Sequence, residues 1–142
     1  MSQARARQAI EIKLMAWATA RPIRIANLEE GFEAGPDETY LRAFLLPAST
    51  TCRYLGGEAY EYTGVYQVSI VSPAGQALAT AENLIDELSS VFRVDSELSR
   101  NGFEGMVVEP VEQGPTITEP VTYTVPVSFT YRGIADQPPA GA

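Results

Sequence analysis

Two hydrophobic periods divide this chain. Over residues 3–20 apolar side chains recur at helical spacing: Ala6, Ile10, Leu14 and Trp17 fall at i, i+4, i+8 and i+11, with Ala9 beside them. This predicts a first helix, with Ser2 as a candidate N-cap. Pro22 stops it, because proline lacks the N–H the helical ladder needs. Residues 76–92 repeat the period more strongly, through Ala77, Leu78, Ala81, Leu84, Ile85, Leu88, Val91 and Phe92. Glu82, Asp86 and Glu87 fall on the opposite, solvent side, and Arg93 suits the helix end.

Other segments alternate with period two, the mark of a strand. In 62–71, Tyr62, Gly64, Tyr66, Val68 and Ile70 share one face, opposite Thr63, Gln67 and Ser69. Residues 38–46 are apolar on both faces, which predicts a central strand closed by Pro47. Residues 105–112 and 120–132 predict two more strands, joined through Gln113-Gly114-Pro115. Pro126 interrupts the last of them and cannot donate to a ladder, so it belongs at an edge or a bulge. Residues 28–37 are a turn-rich connector, and 48–61, with Gly56-Gly57, a second irregular stretch. The predicted order is helix, strand, strand, helix, strand, strand. That is an α+β fold: two helices on one face of a mostly antiparallel sheet of four to five strands. One domain covers 1–133, and 134–142 (IADQPPAGA) read as a disordered tail.

Charge changes the picture along the chain. Of 142 residues, 10 are Lys or Arg and 18 are Asp or Glu, for a net charge of −8. Residues 1–24 hold five basic groups against Glu11 alone, a balance of +4, which leaves −12 on the rest. An acidic body repels phosphate backbones, so general nucleic-acid binding is not expected. No apolar run approaches the ~20 residues of a membrane span. Glu11 and Lys13 break the apolar run of any signal peptide. A soluble, cytosol-compatible protein is the expectation.

Candidate chemistry is sparse. The chain has no histidine, which removes Ser-His and Cys-His nucleophiles and the histidine zinc sites. Cys52 stands alone, with no base to activate it and no partner for a disulfide. Glu29-Glu30 and Asp86-Glu87 are read as solvated charge, since a catalytic carboxylate needs burial and neighbours that shift its pKa. Gly56-Gly57 lacks the Gly-Lys-Ser/Thr of a phosphate loop. No catalytic, cofactor-binding or metal-binding residue is expected. Among the 7 tyrosines, Tyr54 and Tyr60, with Leu55, sit in or beside the glycine-rich stretch. They either line the core or form a protein contact. Arg5 and Arg7 lie at a helix start, where cations are unfavourable, and so raise the question of an acidic partner elsewhere.

Several short motifs recur here in a known order: Pro22-Ile23-Arg24-Ile25-Ala26-Asn27, Gly31-Phe32, Pro36, Tyr40-Leu41-Arg42 leading to Leu46-Pro47, Gly64-Val65-Tyr66-Gln67-Val68, Pro73-Ala74-Gly75, a helix ending at Phe92, and Val127-Ser128-Phe129-Thr130-Tyr131. Over residues 5–132 this order resembles the tail-terminator-like proteins of long-tailed phages. The resemblance implies a non-enzymatic subunit of a ring, usually a hexamer. That ring caps the tail tube, stops its polymerisation and meets the head or its completion and connector proteins. It implies a place in the virion tail or neck, with assembly in the host cytoplasm. Alternatives are another neck or minor tail component, such as a head–tail connector subunit, or a small-ligand-binding α+β domain. For a ring, Arg5, Arg7, Tyr54, Leu55, Tyr60 and Pro126 are the candidate interface residues. The basic N-terminal segment would meet the acidic body of the next copy, and the Pro126 strand would be an exposed edge.

Overall fold

A computed structural model describes residues 2–28, 30–52 and 59–136. The first helix, α1, runs Ser2–Ala20, as its period predicts, and ends before Pro22. Then come β1 (Arg24–Ile25), a 3-10 turn (Ala26–Leu28), β2 (Tyr40–Thr51), β3 (Ala59–Pro73), α2 (Leu78–Val91), β4 (Glu97–Arg100), β5 (Phe103–Gln113), β6 (Ile117–Thr118) and β7 (Thr122–Asp136). The strands form one sheet in the order β1-β2-β3-β7-β5-β4, and β6 pairs β7 beyond the end of β5. Every pairing is antiparallel except β1 with β2.

The sheet therefore has seven strands, not four to five, and the element order differs accordingly. The added strands, β1, β4 and β6, are all short; β4 joins β5 in a hairpin through Asn101-Gly102. Both turn residues have positive φ (45° and 89°), and Arg100 pairs Phe103 directly across it. That is the geometry Asn-Gly favours in a two-residue hairpin loop.

The arm made by β2 and β3 reaches further than expected. Residues 48–51 and 59–61, expected to be irregular, are strand: 49–51 pair with 61–63, and 59–61 pair with β7. Pro47 does not end β2. Pro47 pairs Gly64 and Ser49 pairs Thr63, so Ala48 is an extra residue, and the bulge accommodates the proline. The Ser49 and Thr63 hydroxyls bond across the arm at 2.7 Å. Nor is β2 central. It is flanked by only two residues of β1, and Arg42, Phe44 and Leu46 on its outer face are exposed. The central strands are β3, between β2 and β7, and β7 itself. Strand β7 pairs β3 along its whole length, and β5 and β6 on the other side. The alternation of β7 continues past residue 133, so residues 134–136, expected in the tail, are strand.

Both helices lie on one face of the sheet, as expected. Tyr131 and Tyr123, on the same face of β7, donate hydroxyl bonds to Gln3 Oε1 of α1 (2.5 Å) and to the Ala77 carbonyl at the start of α2 (3.2 Å). Between them lies one core containing Ile10, Leu14, Leu41, Tyr66, Ile70, Leu88, Phe92, Val107, Val125 and Phe129. Phe92 stacks on Phe129 with centroids 4.6 Å apart. Ala77 and Leu78, counted in the second helix's apolar stripe, are exposed at its start.

Candidate functional site

The expected site residues are not gathered in one place. Arg7 donates from Nη1 to both carboxylate oxygens of Glu11, at 2.9 and 3.0 Å, so its acidic partner is one turn along its own helix. Arg5 is half-buried beside the β4–β5 turn; its Nη1 is 3.6 Å from where a Cβ on Gly102 would stand. Tyr60 packs on the core, 6.4 Å from the Tyr62 ring. Tyr54 and Leu55 lie outside the described residues, as does Glu29. The exposed Cys52 ends the described part of the arm.

Pro126 is not on an edge strand, because β7 is flanked on both sides. Gly114 N donates to the Pro126 carbonyl at 2.8 Å. In a strand the N and carbonyl of one residue point the same way, so the missing N–H faces β5 and β6. There the ladder is broken: β5 last pairs at Val127 and β6 first at Thr124. The proline sits where no donor is required.

Charged side chains fasten elements inside the chain. Arg24 grips Glu38 through Nε (2.7 Å) and Nη2 (2.6 Å), while Gly35 N adds a 2.8 Å bond. These contacts, the Arg24 bond foremost, hold the Glu38 carboxyl down to about 2. Arg24 also lies 4.4 Å over the Phe32 ring. The loop between β1 and β2 is thereby pinned. Glu87 is not solvated charge: it accepts from Trp17 Nε1 at 3.1 Å and pairs with Arg21, joining α2 to the end of α1. Asn27 closes the Pro22-to-Asn27 motif, which by itself assigns it no role. Its amide oxygen accepts from Ala43 N at 2.9 Å and its amide nitrogen donates to the Ala43 carbonyl, standing in for a peptide of β1 along β2.

Besides the exposed face of β2, two surfaces that sequence reasoning missed stand out among the described residues. Along α1, on the side away from the sheet, Ile12 and Met15 are exposed. On the outer face of β4, β5 and β7 lies an open groove of about 610 Å³, lined by Glu97, Glu104, Met106, Ile134 and Asp136. The signal for the first is in the sequence: Ile12 and Met15 are apolar residues off the core stripe. The second needs the pairing of β4 and β5 with β7.

Among the described residues no group of His, Cys, Asp or Glu is placed to hold a metal. Among the described residues no helix is long and apolar enough to cross a membrane. Burial pushes the Tyr131 hydroxyl up to about 12 and raises that of Tyr66 further, where nearby Glu11 adds to the effect. The Tyr66 hydroxyl is buried without a hydrogen-bond partner. These tyrosines are held as neutral core groups.

A family model described as phage tail terminator protein matches residues 5–131. A solved structure 32% identical to this chain covers 99% of both chains, with a TM-score of 0.73. No curated protein matches the sequence.

Proposed function

The chain belongs to the phage tail terminator family, and on that premise we propose that copies of it close into a ring that caps the tail tube, ends its polymerisation and offers a surface to the head. The family gives a structural role in the phage tail and a place as a virion component. The ring, the tube contact and the head contact are this proposal's own content. Six copies is the number to test. The partners are a second copy of the chain, the tail tube protein and a head-completion or connector protein. No reaction is assigned.

The observation that carries the reading is that the family match spans residues 5–131, nearly the whole described fold rather than one motif. A cap also needs rigid subunits, and the clamps at Arg24–Glu38 and Trp17–Glu87 tie the loop and both helices to one core. The test is the native mass of the chain alone and after mixing with polymerised tail tubes, with tube length followed by electron microscopy. The expected result is a ring at one tube end and arrested growth. A chain that stays monomeric with tubes and leaves their growth unchanged overturns the proposal.

A further inference from the structure

Helix α1 is apolar towards the sheet and apolar again on the side facing away. On that outer side Arg5, Gln8, Ile12, Met15 and Thr19 follow one another at three- and four-residue steps, which sets them in one line. Ile12 is 50% exposed and Met15 48%. A helix apolar on both sides has a second face to cover. Arg5, in its first turns, has no ion pair among the described residues.

The opposite face of the sheet carries the complement. The groove across β4, β5 and β7 has an apolar floor, with Met106 40% and Ile134 38% exposed. Asp95, Glu97, Glu104 and Asp136 rim it, against one cation on that face among the described residues, Arg132, which pairs across from Met106. Glu97, Glu104 and Asp136 point outward because their neighbours Leu98, Phe103 and Ala135 point into the core. One surface is apolar with a cation, and the other is apolar with an excess of acids over its single arginine. Ile12 and Met15 lie across the sheet from Met106 and Ile134, so the apolar parts cannot meet within a copy; Arg5 reaches only the Gly102 turn at the end of its own groove.

We propose that the outer line of α1 in one copy seats in the β4–β5–β7 groove of the next, with Ile12 and Met15 on Met106 and Ile134 and Arg5 against the acidic rim. The occupant is a second copy of this chain. Because the two patches differ, each copy has one of each to offer, and the contact propagates head to tail until it closes. The inference rests on the ring reading and names the contact that builds it. The short, charged β4 (Glu-Leu-Ser-Arg) fits the same picture, since it discourages pairing at that sheet edge and leaves the groove beside it as the contact.

The test uses full-length chains carrying Met15→Glu or Met106→Glu, each measured by native mass spectrometry alone, mixed, and on tail tubes. Each variant alone is expected to need a roughly tenfold or higher concentration to assemble. The mixture is expected to stop at a one-to-one dimer, because the intact groove of the first variant takes the intact helix of the second and no other good pair remains. Met15→Ala and Met106→Ala, which add no charge, are expected to show the same pattern more weakly, and far-UV circular dichroism checks the fold of each. A wild-type ring that all four variants form equally well overturns this contact and leaves the ring standing. A wild-type chain that is monomeric alone and on tubes overturns the ring and the contact with it.

Discussion

Gly133→Ala is the sharpest test of the packing beneath the groove. Gly133 pairs with Gly105 across β7 and β5, and the Phe103 ring lies over both. A Cβ on Gly133 would stand 2.2 Å from Phe103 Cζ and 2.5 Å from Cε1. Ordinary carbon contacts are ~3.5–4.0 Å. The ring must therefore move by more than an ångström. Phe103 is fully buried, so it has no solvent to move into. Overpacking of this kind costs ~1–3 kcal/mol, against a gain of only ~0.4–1 kcal/mol from the stiffer unfolded chain. A net loss of about 1–2 kcal/mol follows, or roughly 3–8 °C in Tm for a domain of this size. Urea unfolding of dilute protein, followed by circular dichroism, measures it. Phe103→Leu removes the clashing atoms, so in the double variant the two losses should fall short of their sum by about 1 kcal/mol or more. Wild-type stability for Gly133→Ala, or strict additivity in the cycle, refutes the reasoning.

Three further expectations are independent of that site. Tyr66→Phe removes a buried hydroxyl that has no partner, so stability should hold or rise by up to ~1 kcal/mol in urea titration; a loss above that would reveal a partner for the hydroxyl. Glu38 titrates at about 2 when folded, against an ordinary 4.5. Its stabilisation is therefore complete above about 4.5 and is lost as pH falls towards 2, a window in which Glu38→Gln should show a flatter pH–stability profile. Glu87→Ala strips the partner from the half-buried Trp17 Nε1 and from Arg21; a loss of ~1–2 kcal/mol is expected by thermal melting, with Glu87→Gln recovering part of it.

Both helices and the four longest strands were legible because each buries a face, and a buried face leaves a period in the sequence. The elements that were not legible bury little. The arm residues Ser49, Thr50 and Thr51 are exposed, so they show no apolar alternation, although β3 holds them in register. Prolines misled twice for one reason. Pro47 and Pro126 stand at a bulge and at a ladder break, and a sequence read alone does not show which partner strand skips a residue. Asn101-Gly102 did carry a readable signal for β4–β5, in its own turn chemistry rather than in a hydrophobic period. The candidate surfaces were the least legible. Ile12 and Met15 look like noise beside the core stripe, and the groove joins residues from three strands that only the sheet order brings together.

The charge split illustrates the same limit and yields a last prediction. By sequence, residues 1–24 carry five cations and an excess of +4, which suggests copies drawn together by bulk charge. In the fold, Arg7 pairs with Glu11, Arg21 with Glu87 and Arg24 with Glu38. Of the five cations, Arg5 and Lys13 alone have no ion pair among the described residues. One arginine against a solvated acidic rim is worth ~0–1 kcal/mol. Salt removes that attraction as the screening length falls from ~10 Å at 0.1 M to ~3 Å at 1 M. It also screens the mutual repulsion of copies that each carry −8. The two effects oppose, and the apolar contact through Ile12 and Met15 is not screened at all. Light scattering between about 0.1 M and about 1 M salt should therefore show the assembly concentration changing by less than roughly tenfold. Dissociation to monomers at high salt would mean that bulk charge, and not the apolar line of α1, holds the copies together.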